Sequence, residues 1–203
     1  MRILALILSW LALVAAGWEC PLEGTGGDPA NNLLKNRTIV PGSYQHMAFE
    51  TLRYLDVPEG ISRKHRSTWP LAARQELAHV ESGAVSVVGY LLAVKLEGRE
   101  ATNCEADEPE HRDFHLWLAN SPHDEKAEAV VVEISPRLRA LHATWNAKAL
   151  GLLVKQQTKV RISGWLFLDP EHPDQVGKTR ATIWEIHPIT EIEIWRDAAW
   201  RPL

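Results

Sequence analysis

Cysteine is scarce in this 203-residue chain: there are two, Cys20 and Cys104, set far apart. That excludes a clustered structural zinc site and a dense disulfide framework. Phenylalanine and tyrosine are thin as well, three of each, so a core must draw its bulk from other side chains. Positive charge has no surplus: 22 Lys and Arg face 26 Asp and Glu, a net charge of −4. The field that non-specific polyanion binding exploits is therefore missing, although a local basic face is still allowed. No GxGxxG, P-loop, GxSxG or HExxH element occurs, which removes the positive case for the nucleotide enzymes, serine hydrolases and zinc proteases those motifs mark.

What the chain has instead is tryptophan, nine residues of it, within an apolar content of 45%. That suffices for the core of one globular domain and argues against bulk disorder. Arg2 precedes an apolar run over residues 3–16, and Ala15, Ala16 and Gly17 offer a signal-peptidase site ahead of Trp18. The run is shorter than the roughly 20 residues of a membrane-spanning helix. Residues 1–17 are thus expected to direct export, periplasmic or extracellular, and to be cleaved, leaving no stable membrane anchor. Trp18 and Glu19 do not fit the small-residue pattern that precedes a lipid-attachment cysteine at Cys20. In an oxidising compartment Cys20 and Cys104 either pair, tying an arm to the domain, or stay as unpaired or intermolecular thiols.

Residues 18–83 read as an N-terminal arm with short helices. Its stretch PLEGTGGDPANN, beginning at Pro21, reads as linker or surface arm. Met47, Leu52 and Leu55 predict a helix within 43–55, and LAARQEL predicts a second over 70–80 with Pro70 in its first turn. Arg63, Lys64, His65 and Arg66 form a basic patch, read as a solvated loop or as a phosphate contact. From residue 84 the pattern turns to strands. Residues 84–96 are apolar on both alternations, a long strand with a curl at Gly89. Phe114, Leu116 and Leu118 then alternate against Asp113, His115 and Trp117, and AVVVEIS returns as a hairpin partner. Leu138, Leu141, Trp145 and Leu150 predict a helix over 138–150. Residues 160–169 form a fourth strand, and TIWEIH and IEIW on either side of Pro188 form one or two broken terminal strands.

Three strands, a helix and further strands match a mainly β architecture: an oligonucleotide/oligosaccharide-binding (OB) fold, a five-stranded barrel with one bridging helix, here over 84–203 behind an N-terminal helical extension. The segments GYL, KLEG, the NC loop, RDFH, RISGWLFLDPEH and WEIHPIT together resemble OB-like modules of exported bacterial proteins, some attached to extracellular nucleases. That resemblance implies a module fold and brings no defined set of catalytic positions.

Polar residues interrupt the barrel pattern at several strand ends. His115, Asp169 and His172 are candidate ligands for a divalent metal, which would orient water or a phosphate. Glu185 and His187, two apart on one strand face, are a candidate catalytic acid and imidazole. Each also has a structural reading, Asp169 as a turn residue before Pro170 and the histidines as hydrogen-bonded core or surface groups. For binding, Trp117, Trp165 and Phe167 suggest an aromatic platform, with Arg161 or Arg180 orienting an acidic group and Asn103 adding hydrogen bonds. The leading expectation is an exported binding or interaction module whose partner is a protein, a carbohydrate or a nucleic acid. A metal-dependent phosphodiester hydrolase and a structural protein of the cell envelope are the alternatives.

Overall fold

The computed structural model describes residues 18–203; the export segment expected at 1–17 lies outside the described residues. The chain runs α1 (Pro29–Lys35), β1 (Gln45–His46), α2 (Phe49–Arg53), α3 (Leu71–Glu81), β2 (Ala84–Leu96), β3 (Phe114–Ala119), β4 (Val130–Ile134), α4 (Pro136–Arg139), α5 (Ala147–Lys155), β5 (Lys159–Leu168), β6 (Trp184–Arg196) and β7 (Ala199–Pro202), with short 3-10 turns between. Among the described residues no helix is long and apolar enough to cross a membrane.

β2 closes the barrel because it is long enough to serve two neighbours. Its first half pairs antiparallel with β5 and its second half with β3. The changeover falls at Gly89, where a Cβ would stand 2.4 Å from the Ala119 carbonyl oxygen, so a side chain has no room and the strand can bend. The circuit continues β3–β4 antiparallel, β4–β6 parallel and β6–β5 antiparallel, giving the five-stranded OB barrel; β1 extends it beside β2, and β7 extends it beside β6. Phe114, Leu116, Leu118, Val130, Val132, Ile134, Ile162, Leu166 and Leu168 take one alternation of their strands and fill the interior. The extension shares that core through Phe49, Leu52, Trp69 and Leu77.

Several local expectations shift. The single helix expected over 138–150 is two, α4 and α5, because Asn146 caps a new start: its side-chain oxygen accepts from the Ala149 N–H at 3.0 Å. Pro188 does not break the terminal strand, which is continuous from Trp184 to Arg196. A bulge absorbs it, with the register against β5 slipping around Gly164, where a Cβ would meet the Pro188 carbonyl oxygen at 2.4 Å. The stretch read as linker holds α1, with Asn31, Asn32 and Asn36 buried. Asn32 Nδ2 donates to the Glu23 and Gly26 carbonyls at 2.7 and 2.8 Å, and Asn36 Nδ2 to those of Leu22 and Thr102 at 2.9 Å each. Asparagine here replaces absent apolar packing with satisfied buried hydrogen bonds. Arg66, expected in a solvated loop, is buried and bonds Asn31 and both carboxylate oxygens of Glu81.

Candidate functional site

The alternation that sends apolar residues inward sends a second set outward, and strand register lines that set up. Lys95 on β2 lies opposite His115 on β3, and His115 lies opposite Glu133 on β4. Val131 pairs with Glu185 across the parallel β4–β6 seam, so two residues further along Glu133 stands beside His187. One row of polar side chains thus crosses four neighbouring strands. His115 Nδ1 lies 3.2 Å from both Glu97 Oε1 and Glu133 Oε1, and His187 Nδ1 lies 3.3 Å from Glu133 Oε2 and 3.6 Å from Glu185 Oε2. Asp113, at the approach to β3 and in phase with His115, brings Oδ2 to 3.9 Å from His187 Nε2.

A cover buries this row. The Cys20–Cys104 disulfide, with Cα atoms 5.8 Å apart, ties the chain before α1 to the loop after β2. Thr102 Oγ1 donates to Asn32 Oδ1 at 2.7 Å, adding a polar rivet between the same two segments. On the other side the loop after β5 brings Asp169, His172 and Arg180 over the sheet. Arg180 Nη1 donates to Asp169 Oδ2 at 2.9 Å and to Glu185 Oε1 at 2.7 Å, while His172 Nδ1 sits 2.6 Å from Asp169 Oδ2. Between α1, the two loops and the sheet remains a cavity of about 530 Å³ lined by Lys35, Glu100, His115, Glu133, Asp169 and Arg180 among others.

So many carboxylates behind one cover shift their own proton affinities. Burial pushes Asp113 up to about 7, with Glu100 adding repulsion and His187 opposing it. Burial pushes Glu185 up to about 8, with Glu133 and Asp169 adding and Arg180 opposing. Burial would lower the His115 imidazole, but hydrogen bonds with Glu133 and Glu97 outweigh it and raise the group to about 9. Glu133 goes the other way: against its burial, His187 and His115 hold it well below the usual carboxylate range. His187 is lowered, chiefly by burial.

Glu100 gives a pH signature. Burial raises it from 4.5 to about 7, with Lys35 opposing and Glu133 and Glu97 adding. Between those values the folded chain holds a proton that the unfolded chain has released. The stabilisation from that proton is full below the unfolded value and is lost as pH rises through about 7. Glu100→Gln carries no such proton, so melting temperatures measured from about pH 5 to about pH 8 should fall less in the variant than in the wild type. Parallel curves would show that Glu100 is ionised throughout.

The residues singled out in the sequence are only partly brought together. Glu185 and His187 are adjacent as their spacing requires, but both are buried and neither lines the cavity. His115, Asp169 and His172 all line the cavity, but His172 and Asp169 bond each other while His115 bonds Glu97 and Glu133, so the three divide between two clusters on its walls. Among the described residues, the three ligand-type side chains whose donor atoms all lie within 4.8 Å of one another are Asp113, Glu133 and His187. Arg180 is turned inward between Asp169 and Glu185, at 2% exposure, because two buried carboxylates claim it. Arg161 pairs with Glu193 and stacks over Trp200, and Trp165 donates to the Ile39 carbonyl oxygen; neither lines the cavity. Asn103 is buried behind the disulfide loop with its amide unpartnered. No aromatic platform forms from the expected trio. Trp117 on β3 lines the cavity, with Lys126 3.7 Å over its ring, while Phe167 is wholly buried on β5 against His187. Glu133 and Asp113 were legible by alternation and pairing with His115; Lys35 was not, because its helix hid in a Gly- and Asn-rich stretch.

No protein family and no curated protein matches the sequence. Among solved structures the chain is similar to an OBody bound to hen egg-white lysozyme, at 15% identity and a TM-score of 0.31, over 57% of this chain and 84% of that one. It is also similar to the aspartyl tRNA synthetase from Entamoeba histolytica, at 13% identity and a TM-score of 0.33, over 64% of this chain and 21% of the synthetase. The chain therefore spans about a fifth of the synthetase's length.

Proposed function

We propose that this is an exported binding module that holds a small, charged ligand on the outer face of its OB barrel, beneath the cover formed by α1 and the disulfide loop. The observation that carries the reading is the cavity itself: its walls bring Lys35 and Arg180 together with Glu97, Glu100, Glu133 and Asp169, a lining suited to a polar molecule. The His115 ring reaches this wall, and its Nε2 has no hydrogen-bond partner in the protein. Stacking is a poor basis for recognition here. Trp117 has Lys126 over its ring and the His115 imidazole 4.3 Å away, so its ring is already engaged. This favours a compact charged ligand over a run of nucleobases. The disulfide fits an exported protein, since such bonds persist in oxidising compartments.

Hydrolysis of a phosphodiester would need a catalytic group at the cavity surface. Asp113, Glu185 and His187 stand behind the wall, and the acids and imidazoles that do line it are paired among themselves, His172 with Asp169 and His115 with Glu97 and Glu133, which favours binding over hydrolysis. A thermal-shift panel of small carboxylates, phosphates and sugars tests it. Compounds that stabilise the wild type should lose at least about tenfold in affinity with Lys35→Met, which removes a wall charge, and keep their affinity with Trp165→Ala. Binding that survives Lys35→Met but is lost with Trp165→Ala would move the site to the outer surface of β5.

A further inference from the structure

We propose that Asp113, Glu133 and His187 bind a divalent transition-metal ion of the zinc or manganese class, held behind the wall of the cavity. The inference goes beyond the binding reading and does not need a ligand in the cavity.

Three neighbouring strands deliver the donors: Asp113 at the entry to β3, Glu133 on β4 and His187 on β6. One donor atom from each lies within 4.8 Å of the others. What points to an ion is that these side chains are unsatisfied as well as close. His187 is 0% exposed and neither ring nitrogen has a hydrogen-bond partner. Both Asp113 oxygens and Glu133 Oε2 are buried and unpartnered too. His187 Nδ1 is 3.3 Å from Glu133 Oε2, yet the two atoms form no hydrogen bond. Buried polar groups in folded proteins are nearly always paired, and leaving several unpaired in one place is costly. A cation taking one His187 nitrogen, one Asp113 oxygen and one Glu133 oxygen gives each of the three side chains a partner at once.

The neighbouring positive groups are already engaged. Arg180 is held by Asp169 and Glu185, and Lys35 lies 3.8 Å from Glu100. His115 takes Glu133 by Oε1, which leaves Oε2 facing His187. Outer contacts that orient a ligand in this way are typical of metal centres. The Phe167 ring stands edge-on to His187 at a centroid distance of 5.6 Å and supplies an apolar side to the site. The donor set also selects the ion: an imidazole with two carboxylates suits zinc or manganese better than calcium or magnesium, which favour all-oxygen shells.

The test uses the whole exported chain, without an affinity tag that binds metal. Elemental mass spectrometry should find roughly one equivalent of a transition metal per chain. After removal by chelator, titration with zinc or manganese should restore it and raise the melting temperature. Glu133→Gln and Asp113→Asn, which preserve shape, should each weaken zinc affinity by at least about tenfold, while His172→Ala should retain it. If the variants fail to fold, anomalous X-ray scattering from wild-type crystals soaked in zinc decides the question. A peak among Asp113, Glu133 and His187 supports the site; a peak at Asp169 and His172, or no peak, overturns it. Stripped protein that takes up neither metal overturns it as well. Because the cavity ligand is read through Lys35→Met, failure of either proposal is distinguishable from failure of the other.

Discussion

Arg180→Ala is expected to destabilise the fold by about 3–5 kcal/mol, because it leaves buried carboxylates without their cation. Arg180 is 2% exposed and spans Asp169 and Glu185 from one guanidinium nitrogen. The two acids do not suffer equally. Glu185 is already pushed up to about 8, mainly by burial, and can stay protonated. Asp169 is held well below the usual carboxylate range, and once Arg180 is gone it keeps His172 at 2.6 Å and the Glu171 N–H at 2.8 Å as partners. The loss should therefore lie at the lower end of that range and be borne by the loop after β5. Denaturant titration of wild type and variant measures it. A loss under about 1 kcal/mol would mean that water reaches Asp169 and replaces the guanidinium.

Removing the Cys20–Cys104 bridge by paired serine substitution should cost about 3–5 kcal/mol. The bond closes a loop of sequence separation 84, and chain entropy makes such a long crosslink effective against the unfolded state. Local consequences should be sharper than global ones. The bridge anchors the segment before α1, and hydrogen exchange in residues 18–36 and 97–105 should accelerate more than in β3 or β4. If exchange in those segments is unchanged, the buried asparagines and Thr102 hold the cover without the crosslink.

The barrel was legible because strand alternation separates the apolar face of a sheet from its polar one. Phe114, Leu116 and Leu118 against Asp113, His115 and Trp117 reports the two faces of β3, and Gly89 marks the bend as its spacing suggests. Helix placement in 136–155 was less readable, since Leu138, Leu141, Trp145 and Leu150 keep helical spacing across a break that only the Asn146 cap reveals. Convergence of the site depended on register. Placing Glu133 beside His187 requires knowing that β4 and β6 run parallel, which no local pattern states. Least visible was the cover, because α1 is held down by side-chain amides bonding to backbone carbonyls, and buried Asn32 and Asn36 look in sequence like loop residues.

The parallel seam between β4 and β6 also bears on how a growing chain survives its own synthesis. Val131 and Glu185 are partners, yet α4, α5 and β5 all lie between them in sequence. Until β6 is made, VVVEI presents an unpaired edge in a hairpin with β3, and a valine-rich edge of this kind recruits other chains. Glu133 is the one charge in that segment. The residue at the centre of the polar row thus doubles as a gatekeeper against aggregation during the interval before β6 arrives.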